Sequence, residues 1–181
     1  MMDWNSRLKA VADHMAGVDP QDLQKVKELV CAASAVGGKV IIAGNGASAA
    51  IASHVAVDLT KSAGVRALNF NEADLITCLA NDYGYEHWVE KALELYADGK
   101  DVAVLISSSG QSANIVNAAR RAKALGLKVV TLSGFSKDNP LRKLGDINLW
   151  VNSSQYNIVE TVHQTWLLII VDRIAEDKGT P

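Results

Sequence analysis

The chain of 181 residues has little of what marks secreted, membrane or nucleic-acid-binding proteins. It has only two cysteines and three prolines. Cys31 and Cys78 lack metal-ligand spacing and lie in apolar helical patterns, so the sequence predicts two buried thiols in a reducing compartment. The 18 basic and 20 acidic side chains leave a net charge of -2, which argues against a nucleic-acid or acidic-membrane partner.

Long hydrophobic runs are also lacking. The longest, from Trp166 to Val171, is far shorter than the about 20 residues that a membrane span needs. The first 15 residues are amphipathic with an acid near their start, unlike a signal peptide. The sequence therefore predicts a cytoplasmic protein, and an apolar content of 49% suits a single domain over residues 1–181.

Short apolar runs alternate with helical patterns after two N-terminal helices. Asp19 is expected to cap the second helix, with Pro20 at its first position. Near-continuous apolar strands separated by helices predict a parallel sheet covered on both faces. The predicted fold is α/β, a three-layer αβα sandwich with a five-stranded parallel sheet, N-terminal helices over 1–36, a core over 37–177 and a tail over 178–181. The predicted strands are 39–44, 65–70, 101–107, 128–134 and 147–151, and the predicted helices are 4–15, 19–36, 47–61, 74–97 with a break near 82–84, 111–125, 139–144 and 155–177.

Serines cluster after the third predicted strand, where residues 107–112 are Ser-Ser-Ser-Gly-Gln-Ser and precede a helix. In open α/β sheets ligands bind beyond the carboxyl ends of the strands. Hydroxyls, a glycine and the free amides of a helix N-terminus suit a phosphate. A helix cap would explain one serine, but four of them, Ser107, Ser108, Ser109 and Ser112, favour a phosphate site.

A second glycine-rich turn, GNGAS at 44–48, follows the first predicted strand and places Ser48 at the same cleft. It lacks the third glycine and the later acid of a dinucleotide fingerprint. On the next helix, His54 and Asp58 are four residues apart and share a face. The spacing is compatible with an acid–base pair, with two metal ligands, or with a structural pair in which Asp58 also meets Lys61.

The last predicted helix carries Glu160, His163 and Gln164 near its start. Glu160 and Gln164 share a face, which Leu168 continues. Periodicity by itself favours structural roles, with Glu160 as a first-turn carboxylate near the helix dipole and His163 as a histidine whose hydrogen bonds are satisfied.

Four segments together carry a resemblance: GNGASAA at 44–50, ANDYGYE at 80–86, ISSSGQSANI at 106–115 and an ExxH pattern at 160–163. The chain resembles the sugar isomerase (SIS) domain family over nearly its whole length, and within it the phosphoheptose isomerase subgroup. The resemblance implies a flavodoxin-like parallel sheet and a homotetramer whose sites lie at subunit interfaces. It also implies aldose–ketose isomerisation of a phosphorylated sugar for surface polysaccharide synthesis.

Site residues follow from the same resemblance. It implies phosphate binding by Ser48 together with the four serines of the loop, and sugar contacts by Asn45 and Asp82. It implies an acid–base and zinc-binding role for His54 and for Asp58, where the family has a glutamate. These assignments are expectations carried over from the family, position by position.

The resemblance also exposes a difference on the last helix. Glu160 and Leu168 stand where the family has a glutamine and the histidine that completes its acid–base and zinc site. One hypothesis is an isomerase with altered catalytic residues, in which Glu160, His54 and Asp58 act together and are candidate zinc ligands, with His163 as a further acid or base. The other is a non-catalytic sugar-phosphate sensor or a protein-binding adaptor of the replication-initiator-associating type.

Overall fold

A computed structural model describes residues 3–179 of the chain. The strands are β1 (Val40–Ala43), β2 (Ala67–Asn69), β3 (Val102–Ser107), β4 (Lys128–Ser133) and β5 (Ile147–Trp150). The helices are α1 (Trp4–Met15), α2 (Pro20–Ala35), α3 (Ala47–Lys61), α4 (Ala73–Tyr83), α5 (Trp88–Tyr96), α6 (Ala113–Ala124) and α7 (Tyr156–Asp177). No helix among the described residues is long and apolar enough to cross a membrane.

All five strands are parallel, in the order β2-β1-β3-β4-β5. Successive strand residues point to opposite faces of the sheet. In β1, Val40 and Ile42 therefore pack into a core with α2, α3 and α7, whereas Ile41 and Ala43 pack into a second core with α4, α5 and α6. Both faces of the sheet are covered, which confirms the predicted three-layer fold.

The start of α2 lies where the sequence predicted it. Asp19 accepts a hydrogen bond from the Gln21 amide at 2.9 Å, and Pro20 occupies the first helical position. The predicted break in the fourth helix is also confirmed, because Gly84 (φ 88°) ends α4 before α5 begins. A glycine takes up this backbone conformation without the steric cost that other residues incur.

The predicted helix over 139–144 is wrong, because the segment is a series of turns. Asn139 precedes Pro140, and a residue before proline is disfavoured in helical conformation. The Asn139 side chain accepts a hydrogen bond from the Arg142 amide at 2.9 Å, and the Leu144 amide donates to the Leu141 carbonyl. Side-chain and three-residue bonds thus take the place of a helical ladder.

Two smaller predictions also need correction. Cys31 is half-buried and Cys78 is exposed, since helical periodicity indicates which residues share a face but not which face another helix covers. Lys178 of the predicted tail caps α7 and donates a hydrogen bond to the Ala63 carbonyl at 2.7 Å, so it is anchored to the body of the protein. Residues 180–181 of that tail and 1–2 of the N-terminal region lie outside the described residues.

Candidate functional site

The carboxyl ends of β1 and β3 form a crevice, because the chain leaves these two neighbouring strands in opposite directions. The two strands are neighbours, but α3 packs on one face of the sheet, through Ile51 and Val55, and α6 packs on the other, through Ile115 and Ala119. The loops that lead into these helices therefore diverge. Such a switch point is where open α/β sheets bind ligands.

A cavity of about 130 Å³ lies in this crevice. We call it the serine cavity. Its lining residues are Asn45, Ser48, Ile106, Ser107, Ser108, Ser109, Ser112, Tyr156 and Glu160. The structure thus brings together all five serines that the sequence assigns to a phosphate, and adds Asn45 and Glu160 to them.

The serine loop is held by its own hydroxyls and by a glycine. The Ser107 and Ser112 hydroxyls are hydrogen-bonded at 2.9 Å, and the Ser109 hydroxyl accepts from the Gln111 amide at 3.2 Å. Gly110 has φ 67°, and a Cβ atom there would collide with the Asn139 side chain. Glycine is required at this position because both the backbone conformation and the close approach exclude a side chain.

The segment that follows β4 supports the same loop through its backbone. The Gly134 amide donates to the Ser108 carbonyl at 2.8 Å, and the Leu141 amide donates to the Gly110 carbonyl at 3.0 Å. The loop is therefore anchored by backbone bonds at two of its residues. Its four serines line the cavity while their hydroxyls also bond within the loop or to Glu160.

Three helix N-termini contribute to the serine cavity. Ser48 is the second residue of α3, Ser112 is the N-cap of α6, and Tyr156 is the first residue of α7. None of these three helices has a side-chain cap hydrogen bond. Their free amides and positive dipole ends favour an anion, and the described lining residues include no lysine or arginine that would do so instead.

A larger cavity of about 420 Å³ adjoins the first. We call it the α3–α7 cavity. It is lined by Ala47, Ala50, Ile51, His54, Asn157, Glu160, Thr161 and Gln164. Glu160 lines both cavities, so an anion bound by the serines and a group beside His54 would be neighbours across the Glu160 carboxylate.

His54 is hydrogen-bonded through both ring nitrogens. Its Nε2 lies 3.1 Å from Asp58 Oδ2, and its Nδ1 lies 3.1 Å from Gln164 Nε2. Nε2 donates to the carboxylate and Nδ1 accepts from the amide, which is the pattern of a neutral imidazole protonated on Nε2. Asp58 thus orients the ring, and α7 reaches it through Gln164.

The candidate zinc ligands do not assemble within this chain. Glu160 accepts a hydrogen bond from the Ser108 hydroxyl at 3.3 Å, towards the serine cavity, while His54 pairs with Asp58. Within residues 3–179 there is no group of three or more His, Cys, Asp or Glu side chains that could hold a metal ion. The donor set therefore does not fit a zinc site, which needs at least three protein ligands.

His163 lies in the core and lines neither cavity. Its side chain is fully buried, its Nε2 donates to the Ser133 carbonyl at 3.1 Å, and its ring lies beside Trp166. Burial lowers the pKa of His163 to about 4, because the charged imidazolium loses its solvation. The Nδ1 of His163 is buried without a hydrogen-bond partner among the described residues, so the prediction that its hydrogen bonds are satisfied holds for Nε2 only. Its position in the core, outside both cavities, argues against the catalytic role.

Two further positions line neither cavity. Asp82, expected to contact the sugar, is exposed near the end of α4, where its carboxylate bonds to Cys78 and Asn81. Leu168 is half-buried against the core, one turn beyond Gln164.

Sequence reasoning missed several residues of the site. Asn114 exchanges two hydrogen bonds of 2.9 Å with Asn45, and the Tyr85 hydroxyl donates to Asn45 Oδ1 at 3.1 Å. Both lie inside the segments that carry the family resemblance, which was the available signal. Gln164 shares a face with Glu160, and only its contact with His54 distinguishes it from an ordinary surface residue.

Comparisons with known proteins identify the family and the fold. A family model for the SIS domain matches residues 3–134. The phosphoheptose isomerase of Syntrophotalea carbinolica is 30% identical, over 96% of this chain and 91% of that protein. The solved phosphoheptose isomerase from Francisella tularensis has a TM-score of 0.87 at 26% identity, covering 96% of each chain. GmhA, the phosphoheptose isomerase of Neisseria gonorrhoeae, has a TM-score of 0.85 at 25% identity, covering 95% of this chain and 99% of its own.

Proposed function

Because this chain belongs to the SIS domain family, we propose that it is an aldose–ketose isomerase of the phosphoheptose isomerase type, acting on a phosphorylated sugar for surface polysaccharide synthesis. Relatives and solved structures named phosphoheptose isomerase support the proposal. The altered residues of this chain, Asp58, Glu160 and Leu168, require their own account of the chemistry.

The observation that carries the proposal is the position of Glu160 between the two cavities. A phosphate held by the serines and the three helix N-termini fixes one end of the substrate. The carbon chain then extends past Glu160 into the α3–α7 cavity, beside His54. Binding energy from the phosphate thus holds the reacting carbons near the groups that move protons.

Isomerisation moves one proton between two neighbouring carbons and a second between their oxygens, through an enediol. In our proposal Glu160 removes the proton from the carbon beside the carbonyl and returns it to the former carbonyl carbon. His54 takes the hydroxyl proton on Nδ1, once Gln164 releases that nitrogen, and delivers it to the other oxygen. Both groups end in their starting states, and Asp58 stabilises the imidazolium that forms in between.

The substitutions in this chain make the roles of α7 different from the family pattern. Leu168 carries no group that transfers a proton. Glu160 supplies a carboxylate where the family has a neutral amide, and Gln164, one turn before Leu168, supplies the polar contact to His54. No step is routed through a metal, because the donor set in the chain does not fit one.

Deuterium exchange tests the proposal directly. The protein is incubated in D2O with five- to seven-carbon ketose phosphates, and loss of the C1 proton is followed by NMR. We expect exchange by the wild type and a loss of about 10²-fold or more in Glu160→Gln, with inorganic phosphate still bound. Glu176→Gln is the matched control, because Glu176 lies on the same helix in an exposed pair with Arg173.

Two outcomes would count against it. Exchange at the wild-type rate in Glu160→Gln would remove Glu160 as the base. A wild type that binds sugar phosphates but exchanges none of them would overturn the isomerase assignment itself.

The proposal extends to a cytoplasmic homotetramer with sites at subunit interfaces, as the family resemblance implies. Apolar exposure on two helices that pack against each other supports the oligomer: Trp4 is 86% and Leu8 68% exposed on α1, and Ile169 is 44% exposed on α7. Large apolar side chains gathered on a surface commonly mark an interface. Light scattering should give the mass of four chains, and Trp4→Ser combined with Leu8→Ser should lower it; a monomeric wild type would contradict the tetramer.

Leu168 favours a second candidate, a non-catalytic sugar-phosphate sensor or protein-binding adaptor. An intact serine cavity beside a lost proton-transfer group is what such a protein would retain. Calorimetry combined with deuterium exchange on the same sugar phosphates separates the two, because a sensor binds the ligand without exchanging its protons. Measurable turnover, together with affinity capture that recovers no specific protein partner, would eliminate this candidate.

A further inference from the structure

We infer that Asn114 and Tyr85 are positioning residues that hold the amide of Asn45, so that Asn45 presents an N–H donor to the ligand in the serine cavity. The inference rests on the proposed phosphosugar site. Neither Asn114 nor Tyr85 lines that cavity, whereas Asn45 does. Their influence on a ligand therefore passes through Asn45.

Asn114 clamps Asn45 from inside the protein. It lies in the first turn of α6 and is 2% exposed. Its Nδ2 donates to Asn45 Oδ1 and its Oδ1 accepts from Asn45 Nδ2, both at 2.9 Å. A buried amide with both ends paired fixes the plane of its partner, because turning either side chain alone would leave a buried polar group unsatisfied.

Tyr85 clamps the same side chain from outside. It lies between α4 and α5, with its ring 6.4 Å from that of Trp88, and its hydroxyl donates to Asn45 Oδ1 at 3.1 Å. Asn45 Oδ1 then accepts two hydrogen bonds, which is its full capacity. One hydrogen of Asn45 Nδ2 is used by Asn114, and the other is left for a ligand oxygen.

The amide pair also links the two loops that build the cavity. Asn45 belongs to the loop entering α3 and Asn114 to the start of α6, and these helices lie on opposite faces of the sheet. Their N-termini carry like partial charges that repel each other until an anion binds. A neutral, reciprocal amide pair holds the two ends together before the ligand arrives.

Phosphate affinity tests the inference without requiring turnover. Dissociation constants for inorganic phosphate and for a ketose phosphate are measured by calorimetry. We expect about tenfold weaker binding in Asn114→Leu and about threefold weaker binding in Tyr85→Phe, the range for losing one hydrogen-bonded partner. Asn148→Leu, at a hydrogen-bonded amide on β5 that lines neither cavity, and Tyr83→Phe in the same segment as Tyr85 are controls, expected to stay within twofold.

A second set of variants tests whether the effect of Asn114 and Tyr85 on affinity depends on Asn45. In an Asn45→Ala background, Asn114→Leu and Tyr85→Phe should produce no further loss, since coupled residues are non-additive. A merely structural role would weaken binding in either background.

The inference is overturned if Tyr85→Phe, at an exposed residue, leaves both affinities within twofold of the wild type, or if the losses persist without Asn45. A wild type that binds no phosphate overturns the proposed site as well. An inactive wild type that still binds phosphate refutes only the isomerase chemistry.

Discussion

The buried His163 makes the stability of this protein depend on pH in a calculable way. Its side chain is fully buried, and burial lowers its pKa from 6.5 to about 4. In the unfolded chain His163 therefore takes up a proton below about pH 6.5, whereas in the folded protein it does so only below about pH 4. The contribution is fully present above pH 6.5 and is lost as the pH falls towards 4.

The size of this contribution follows from the shift. A difference of roughly 2.5 pH units corresponds to about 3 kcal/mol. Between pH 7 and pH 5 the loss should already be about 2 kcal/mol, which is a large part of the 5–15 kcal/mol of stability of an ordinary domain.

Urea unfolding at a series of pH values between 4.5 and 7.5 measures the effect. His163→Gln removes the titrating group. The free energy of unfolding of this variant should therefore fall less steeply with decreasing pH than that of the wild type, and the difference in slope should correspond to the uptake of about one proton on unfolding. Carboxylates titrate in both proteins and cancel in the comparison. His14→Gln, the same change on α1, serves as the control, and parallel curves for wild type and His163→Gln would refute the reasoning.

Three further changes test the site and its support. Ser108→Ala removes one hydroxyl from the serine cavity and should weaken phosphate binding about fivefold by calorimetry; unchanged affinity would exclude a contact. Gly110→Ala should lower the free energy of unfolding by about 1–3 kcal/mol in denaturant titration, because of its positive φ and the collision with Asn139. Asp101→Ala removes a buried carboxylate that accepts from the Lys39 amide at 2.9 Å, at the other end of the sheet; it should cost about 3 kcal/mol yet leave phosphate affinity unchanged.

Most of the fold was predictable because it depends on short-range patterns. Strands such as β3 are continuous apolar runs, and α2 carries its cap and first proline in adjacent positions. The failure at 139–144 shows the limit of this reasoning. There the Asn139 side chain bonds to the Ser133 hydroxyl and supports the serine loop through contact with Gly110, and these contacts are set by β4 and β3 lying side by side.

The site was predictable in its parts but not in its connections. The serines and Asn45 are found together where the sequence placed them. Spacing could not distinguish the role of His163 from that of Glu160, because residues three positions apart on a helix can share a face. In the structure His163 lies in the core and Glu160 lines the cleft. The contact of Gln164 with His54, 110 positions apart, has no local signature.

The sequence by itself determined the family, the parallel sheet and the serine-rich loop after β3, since each depends on residues that are close along the chain. Only the tertiary structure decided which ionisable groups share a cleft. It put Glu160 between the two cavities and Gln164 against His54, and it placed His163 and Asp82 outside both cavities. The physical reason is that proton transfer and ligand binding depend on distances of a few ångströms between side chains from α3, α6 and α7, and only the packing of those helices on the sheet sets such distances.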